Sequence, residues 1–256
     1  MRPDERRDAE EADMEQQRKL AVIVGAGPGL GCALGRRFSK AEMNVAMAAR
    51  DVARLESLTM ECAAIGHGAK AYSCDAGDEK SVEELFSQVR AEFGEPDVVI
   101  YNAGAFVPRA LLETTAEEFE RCWRIGCMGG FLVGRAAARS MLERIGRGGR
   151  GGTILFTGAT ASLRGSAGFH NLAVGKFGLR ALAQSMAREL QPEGIHVAHV
   201  IIDGRIRPPS SIEHSAEASD DMLDPSAIAE AYFQLHCQPR SAWTHEMDLR
   251  PWVEKF

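Results

Sequence analysis

A chain of 256 residues, 45% of them hydrophobic, suits one large α/β domain and carries enough apolar material to bury a substantial core. Its formal net charge of −6 leaves no broad cationic surface for phosphates, which argues against nucleic acid as a partner and in favour of a small molecule. Six cysteines (Cys32, Cys62, Cys74, Cys122, Cys127 and Cys237) without a Cys-x-x-Cys pair suggest neither a disulfide framework nor a metal site, so a reducing cytoplasm is the simplest location.

Residues 1–19 are charged where a signal peptide needs an apolar stretch, and they read as a solvated, flexible tail. No apolar run approaches the roughly 18 residues that would span a bilayer, so no membrane association is expected. From Leu20 onward, β-branched runs alternate with helical patterns, the signature of successive βαβ units. The pattern predicts strands at 20–24, 44–49, 69–74, 98–101, 153–156, 196–202 and 244–249. Helices are predicted at 30–41, 52–64, 79–92, 115–143, 169–190 and 225–236. The expected fold is one doubly wound parallel sheet of about seven strands, over residues 20–256, with helices on both faces. The run Gly146-Arg147-Gly148-Gly149-Arg150-Gly151-Gly152 is too glycine-rich for a helix and reads as a flexible surface connection. Residues 205–221, with Pro208-Pro209 and many Ser, Glu and Asp residues, read as a mobile lid or a plain loop after the sixth strand.

The first strand runs into Gly25-Ala26-Gly27-Pro28-Gly29-Leu30-Gly31, which opens directly into a helix. Glycines there let the backbone turn tightly and approach a pyrophosphate, whose charge meets free N–H groups at the helix start. The spacing is Gly25-x-x-x-Gly29-x-Gly31, in the strand-to-helix context that gives such a motif its meaning. Asp75 ends the third strand, Asn102-Ala103-Gly104 ends the fourth, Lys176 lies in a long helix, and Asp203-Gly204 ends the sixth. With these motifs in this order the chain resembles the short-chain dehydrogenase/reductase family across roughly residues 20 to 250.

That resemblance implies a Rossmann-type nucleotide fold. It puts Gly25, Gly29, Leu30, Gly31, Asp75, Ala76, Asn102, Ala103, Gly104, Lys176, Gly204 and Ile206 at the cofactor. At the end of the second strand Arg50 is suited to a 2′-phosphate, which favours NADP over NAD. The neighbouring Asp51 reads as the N-cap of the next helix. Gly175 and Gly178 in the long helix permit close helix approach, and the family pairs this helix with its symmetry copy, implying a homodimer or homotetramer. The aromatic tail, residues 250–256, is placed to close a neighbouring subunit's site.

At the chemical end the resemblance implies an Asn supporting a water relay, a Ser and a Tyr on the substrate oxygen, and a Lys. By spacing, those positions hold Gly126, Ala159, Leu172 and Lys176, so the lysine alone is retained. The enoyl-reductase spacing fails as well, because it places Phe169 where the tyrosine belongs. A positioned general acid is worth about 10² to 10⁴ in rate, so ordinary carbonyl reduction by the family mechanism is severely impaired. Lys176 reads first as an anchor for the nicotinamide ribose and second as a proton donor. His170 carries an imidazole but points about 200° round the helix from Leu172, which makes it a helix-entry residue first. Thr160, with Thr157 and Ser162, surrounds the Ala159 position and offers a hydroxyl, and Tyr101 reads as packing beside the cofactor. Three functions fit, in this order: an atypical NADP-dependent oxidoreductase reducing a C=O, C=N or activated C=C, a cofactor-binding scaffold subunit, and a non-redox cyclase or isomerase.

Overall fold

Every residue of the first strand, β1 (Leu20–Val24), and of the sixth, β6 (His196–Ile202), is buried, because helices cover both faces of the sheet and leave no wet side. This computed structural model describes residues 18–209 and 221–254. The remaining elements are α1 (Leu30–Lys40), β2 (Asn44–Ala49), α2 (Glu56–Ile65), β3 (Ala69–Ser73), α3 (Glu79–Phe93), β4 (Val98–Tyr101), α4 (Ala116–Trp123), α5 (Gly129–Gly146), β5 (Thr153–Thr157), α6 (His170–Leu190), α7 (Pro225–His236) and β7 (Glu246–Leu249). All seven strands run parallel in the order β3-β2-β1-β4-β5-β6-β7, as the alternation of elements predicts.

Alternation along each strand feeds two cores. Leu20, Val22 and Val24 join Tyr101, Phe156 and Leu179 beneath α3, α5 and α6, whereas Ala21 and Ile23 join Phe38, Met47 and Tyr232 beneath α1, α2 and α7. Strand order reverses between β1 and β4, and in such sheets the crevice at that switch point is where ligands bind. Register brings the carboxyl ends together there: Val24 pairs with Ala48 on one side and Tyr101 on the other.

Several expected boundaries move. The single helix predicted at 115–143 is two, α4 and α5, joined by a five-residue π-helical segment, Arg124–Met128. Contacts with distant segments fix it: the Tyr101 hydroxyl donates to the Ile125 carbonyl, and Gly129 leaves room for that hydroxyl and the Ala76 backbone. Instead of stopping before the glycine-rich run, α5 extends through Gly146. Nor is that run a free connection, since Arg144 donates to the carbonyls of Arg150 (2.7 Å) and Gly151 (2.9 Å) and pairs with Asp97 at 3.2 Å.

Asp51 caps nothing. A short 3-10 turn, Ala53–Leu55, precedes α2, and the cap positions belong to Val52 and Leu55 without a side-chain cap bond. β7 begins at Glu246 because the Thr244 N–H is taken by the Gln238 side chain at 2.7 Å. Before the expected lid, Ile206 bridges to Leu223, with Arg207 N–H donating to the Leu223 carbonyl (2.9 Å) and Leu223 N–H to that of Arg205 (2.8 Å). Most of that lid, residues 210–220, lies outside the described residues, as do residues 1–17 of the tail and residues 255–256. No helix among the described residues is long and apolar enough to cross a membrane.

Candidate nucleotide cleft and active site

Two strand ends are pressed together to make the cleft. Gly25 leaves β1 at φ +89°, and a Cβ there would lie 2.3 Å from Ala103 N, so only glycine fits on both conformational and steric grounds. The Asn102 side-chain amide donates to the Gly25 carbonyl at 3.0 Å and locks the two loops. Gly31 packs α1 onto the same loop, since its Cβ would meet Ala26 Cα at 2.7 Å. Gly29 caps α1 with no side chain across its first turn, so the helix presents bare backbone at its positive end.

These contacts leave a cleft of about 320 Å³ at the carboxyl edge of β1, β2 and β4. Gly25, Arg50, Asp75, Ala76, Asn102, Ala103 and Gly104, all expected at the cofactor, line it. Asp75 is held by its own loop, its carboxylate accepting from Gly77 N–H at 3.0 Å. Gly29, Leu30, Gly31, Gly204 and Ile206 stand outside this lining. Leu30 and Gly31 are buried in α1 as packing, while Gly204, at φ +148°, turns the chain against Pro251. Arg54, which motif reasoning passed over, lines the cleft beside Arg50, and so does Asp51, which the sequence suggested as a helix cap. Arg54 stands in the short 3-10 turn after Arg50, and no local motif marks it in the sequence. Tyr101 does not pack beside the cleft: it is wholly buried, and burial pushes its phenol well above the ordinary value.

At the other end of the site Lys176 is buried in α6, and its ammonium donates to the Thr157 carbonyl at 2.7 Å. That carbonyl belongs to a pinned strand end, because the Thr157 hydroxyl accepts from Tyr232 at 2.8 Å. Burial pushes the Lys176 ammonium down to about 8. A Cβ at Gly104 would lie 3.8 Å from Lys176 Nζ, so the amine borders a residue of the cleft lining. Leu172 precedes it by one turn of the same helix. Gly126 lies in the π-helical segment, where a Cβ would come within 3.3 Å of Gly175 Cα.

The other two expected catalytic residues are engaged elsewhere. His170 Nε2 lies 2.8 Å from the Thr114 hydroxyl, which itself donates to the Ala110 carbonyl, so the imidazole is the donor and ties α6 to the loop before α4. Thr160 donates to Asp203 Oδ1 at 2.5 Å, and Asp203 Oδ2 pairs with Arg250 at 3.1 Å. Ser162 is fully buried and accepts from Ala159 N–H at 3.1 Å. It lies 3.4 Å from His199 Nε2, whose Nδ1 is 3.2 Å from Glu246, and Arg180 grips that carboxylate through two contacts of 2.7 Å. A hydroxyl with no exposure has no substrate to attack, so this chain of contacts braces the loop after β5. No group of three metal-ligating side chains occurs among the described residues.

Comparison with known proteins supplies the rest. The family described as short chain dehydrogenase matches residues 19–213. The chain belongs to the short-chain dehydrogenase family. A short-chain dehydrogenase/reductase of Armillaria gallica is 32% identical over 183 residues, covering 71% of this chain and 69% of that protein. Galactitol 2-dehydrogenase of Agrobacterium fabrum is 30% identical over 75% of this chain and 73% of its own length. Among solved structures, a short-chain dehydrogenase from Rhodopseudomonas palustris is 41% identical, with a TM-score of 0.79 over 91% of this chain and 99% of that one. An alcohol dehydrogenase from Thermococcus sibiricus, complexed with 5-hydroxy-NADP, is 26% identical with a TM-score of 0.81 over 93% and 98%. As a short-chain dehydrogenase the protein is an oxidoreductase by family, with the nucleotide-binding fold its sheet order describes.

Proposed function

We propose that this short-chain dehydrogenase is an atypical NADP-dependent oxidoreductase, acting on a C=O, C=N or activated C=C of a small organic molecule, with Lys176 as its proton donor. The observation that carries the reading is the place of Lys176 Nζ: buried, bonded to a pinned carbonyl and bordering the glycine that lines the cleft. The residues fit the dinucleotide. Gly25 and Asn102 shape the floor for a pyrophosphate, Arg50 and Arg54 face the end where a 2′-phosphate lies, and Lys176 reaches the ribose. Bound there, a nicotinamide supplies or takes the hydride.

Of the three candidate proton sources, His170 is committed to Thr114 and Thr160 gives its proton to Asp203, which leaves the ammonium of Lys176. Its pKa near 8 keeps it largely protonated at neutral pH yet far more acidic than an ordinary lysine. Family membership and the intact cleft support this reading over a scaffold subunit or a non-redox catalyst, neither of which has use for both ends of the site. The same reading pairs α6 with a second copy, supported by the partly exposed Phe131, Val174 and Phe177 on α5 and α6. The test is NADPH consumption, followed by its absorbance, against ketones, aldehydes, imines and enones. Oxidation of NADPH with at least one class, lost in Lys176→Met, is the expected result; NADPH binding with no turnover of any class sinks it.

A further inference from the structure

Two elements flank the Lys176 amine, the loop after β4 and the start of α6, and a pair of stacked phenylalanines joins them. Gly104 lines the cleft, and a Cβ on it would lie 3.8 Å from Lys176 Nζ. Phe106 follows two residues later, so its Cα is within about 7 Å of that glycine. On the other element, the Phe169 carbonyl accepts from Ala173 N–H at 2.8 Å, which starts the helical ladder at Phe169. Phe169, Leu172 and Lys176 therefore share one face of α6, with Phe169 about 10 Å along the axis from the lysine and the half-buried Leu172 between them. The rings of Phe106 and Phe169 stack with centroids 4.6 Å apart and planes 29° apart.

This pair is held in place yet left uncovered. Asn171, wholly buried, donates its amide to the Val107 carbonyl at 2.7 Å, and Arg109 N–H donates to the Gly168 carbonyl at 3.4 Å, so neighbours of both phenylalanines are tied across the gap. The charge of Arg109 is spent on Glu118 at 3.0 Å. Phe106 and Phe169 nonetheless remain 39% and 40% exposed. We infer that they form the far wall of the substrate site, and that the substrate carries an aromatic ring, a few bonds from its reacting carbon, which stacks on this pair while the reacting group lies at Lys176. Two rings held nearly parallel offer flat faces that a third ring continues in an offset stack, a match that a saturated group of equal size lacks. The wall is continuous with the cleft through Gly104, which makes the small substrate its occupant. This inference rests on the oxidoreductase reading and names its substrate class.

The test compares 4-phenylbutan-2-one with 4-cyclohexylbutan-2-one, ketones that share a skeleton and differ in the ring; neither takes a hydride from an oxidised nucleotide. Their affinities for the protein saturated with NADP⁺ are measured by ligand-observed NMR titration. The wild type is expected to favour the phenyl ketone about fivefold, the ratio one added ring stack supports. Phe106→Leu and Phe169→Leu keep an apolar side chain at sites already partly exposed, and each is expected to abolish most of that preference; either variant carries the test if the other melts early. Equal affinities, a cyclohexyl preference or no binding of either ketone in the wild type would overturn the inference, as would a preference unchanged in both variants. Dissociation of the variants into smaller assemblies with the phenyl preference intact would assign the pair to a subunit contact and overturn it too. If NADP⁺ itself does not bind, the same comparison on the nucleotide-free protein separates the two claims: a phenyl preference that the leucine variants lose supports the wall while the nucleotide reading falls, and no preference overturns both.

Discussion

On the proposed reading Lys176 is the proton donor, and its environment sets a pH limit on what it can do. Below about 8 the ammonium holds the proton that a reduced substrate needs, and above that value the amine has lost it. The rate of NADPH oxidation is therefore expected to fall as pH rises through about 8, and Lys176→Met to lower it by roughly 10² to 10⁴ at neutral pH. A rate that is flat from pH 6 to 10 contradicts the assignment. Neighbouring positions make a second prediction. Leu172→Tyr with Ala159→Ser adds a phenol one turn from Lys176 and a hydroxyl after β5, and is expected to raise ketone reduction above the wild type. Adding Gly126→Asn should cost rather than help, by about 1–3 kcal/mol in unfolding experiments, because its Cβ would come within 3.3 Å of Gly175 Cα.

At the scale of elements, the cleft depends on the fit between the β1 and β4 loops. Gly25→Ala forces a Cβ to 2.3 Å from Ala103 N at a φ of +89°, so it is expected to abolish NADPH binding and to lower stability by a few kcal/mol. An alanine variant that binds NADPH normally would refute that picture of the cleft. This part of the molecule was legible in the sequence because glycine spacing, strand patterns and the Arg50 position are local signals. What escaped was set by contacts between distant segments. The hydroxyl of Tyr101 is drawn beneath the π-helical segment by a carbonyl of Ile125, and Arg144 ties down a run whose glycines suggested freedom. Asp203 was legible only as half of a turn, since its meaning comes from Thr160, 43 residues earlier.

Across the whole molecule, buried histidines couple stability to pH. His199 and His236 are both pushed by burial from 6.5 to about 4. As pH falls below 6.5 the unfolded chain takes up protons that the fold refuses until about 4, so stability is lost across that window and is fully present above it. Each imidazole contributes a slope of up to about 1.4 kcal/mol per pH unit within the window. Thermal melting between pH 7 and 4.5 is expected to show a decline that His199→Gln makes shallower; an unchanged slope would show that His199 takes up its proton alike in the folded and unfolded states. On the proposed reading the two ends of the site hold one ligand, a 2′-phosphorylated dinucleotide lying from Arg50 to Lys176. Calorimetric titration of the wild type with NADPH and with NADH tests this most directly. NADPH is predicted to bind at least tenfold more tightly, with most of that margin lost in Arg50→Ala; equal affinity for the two, or no binding of either, would contradict it.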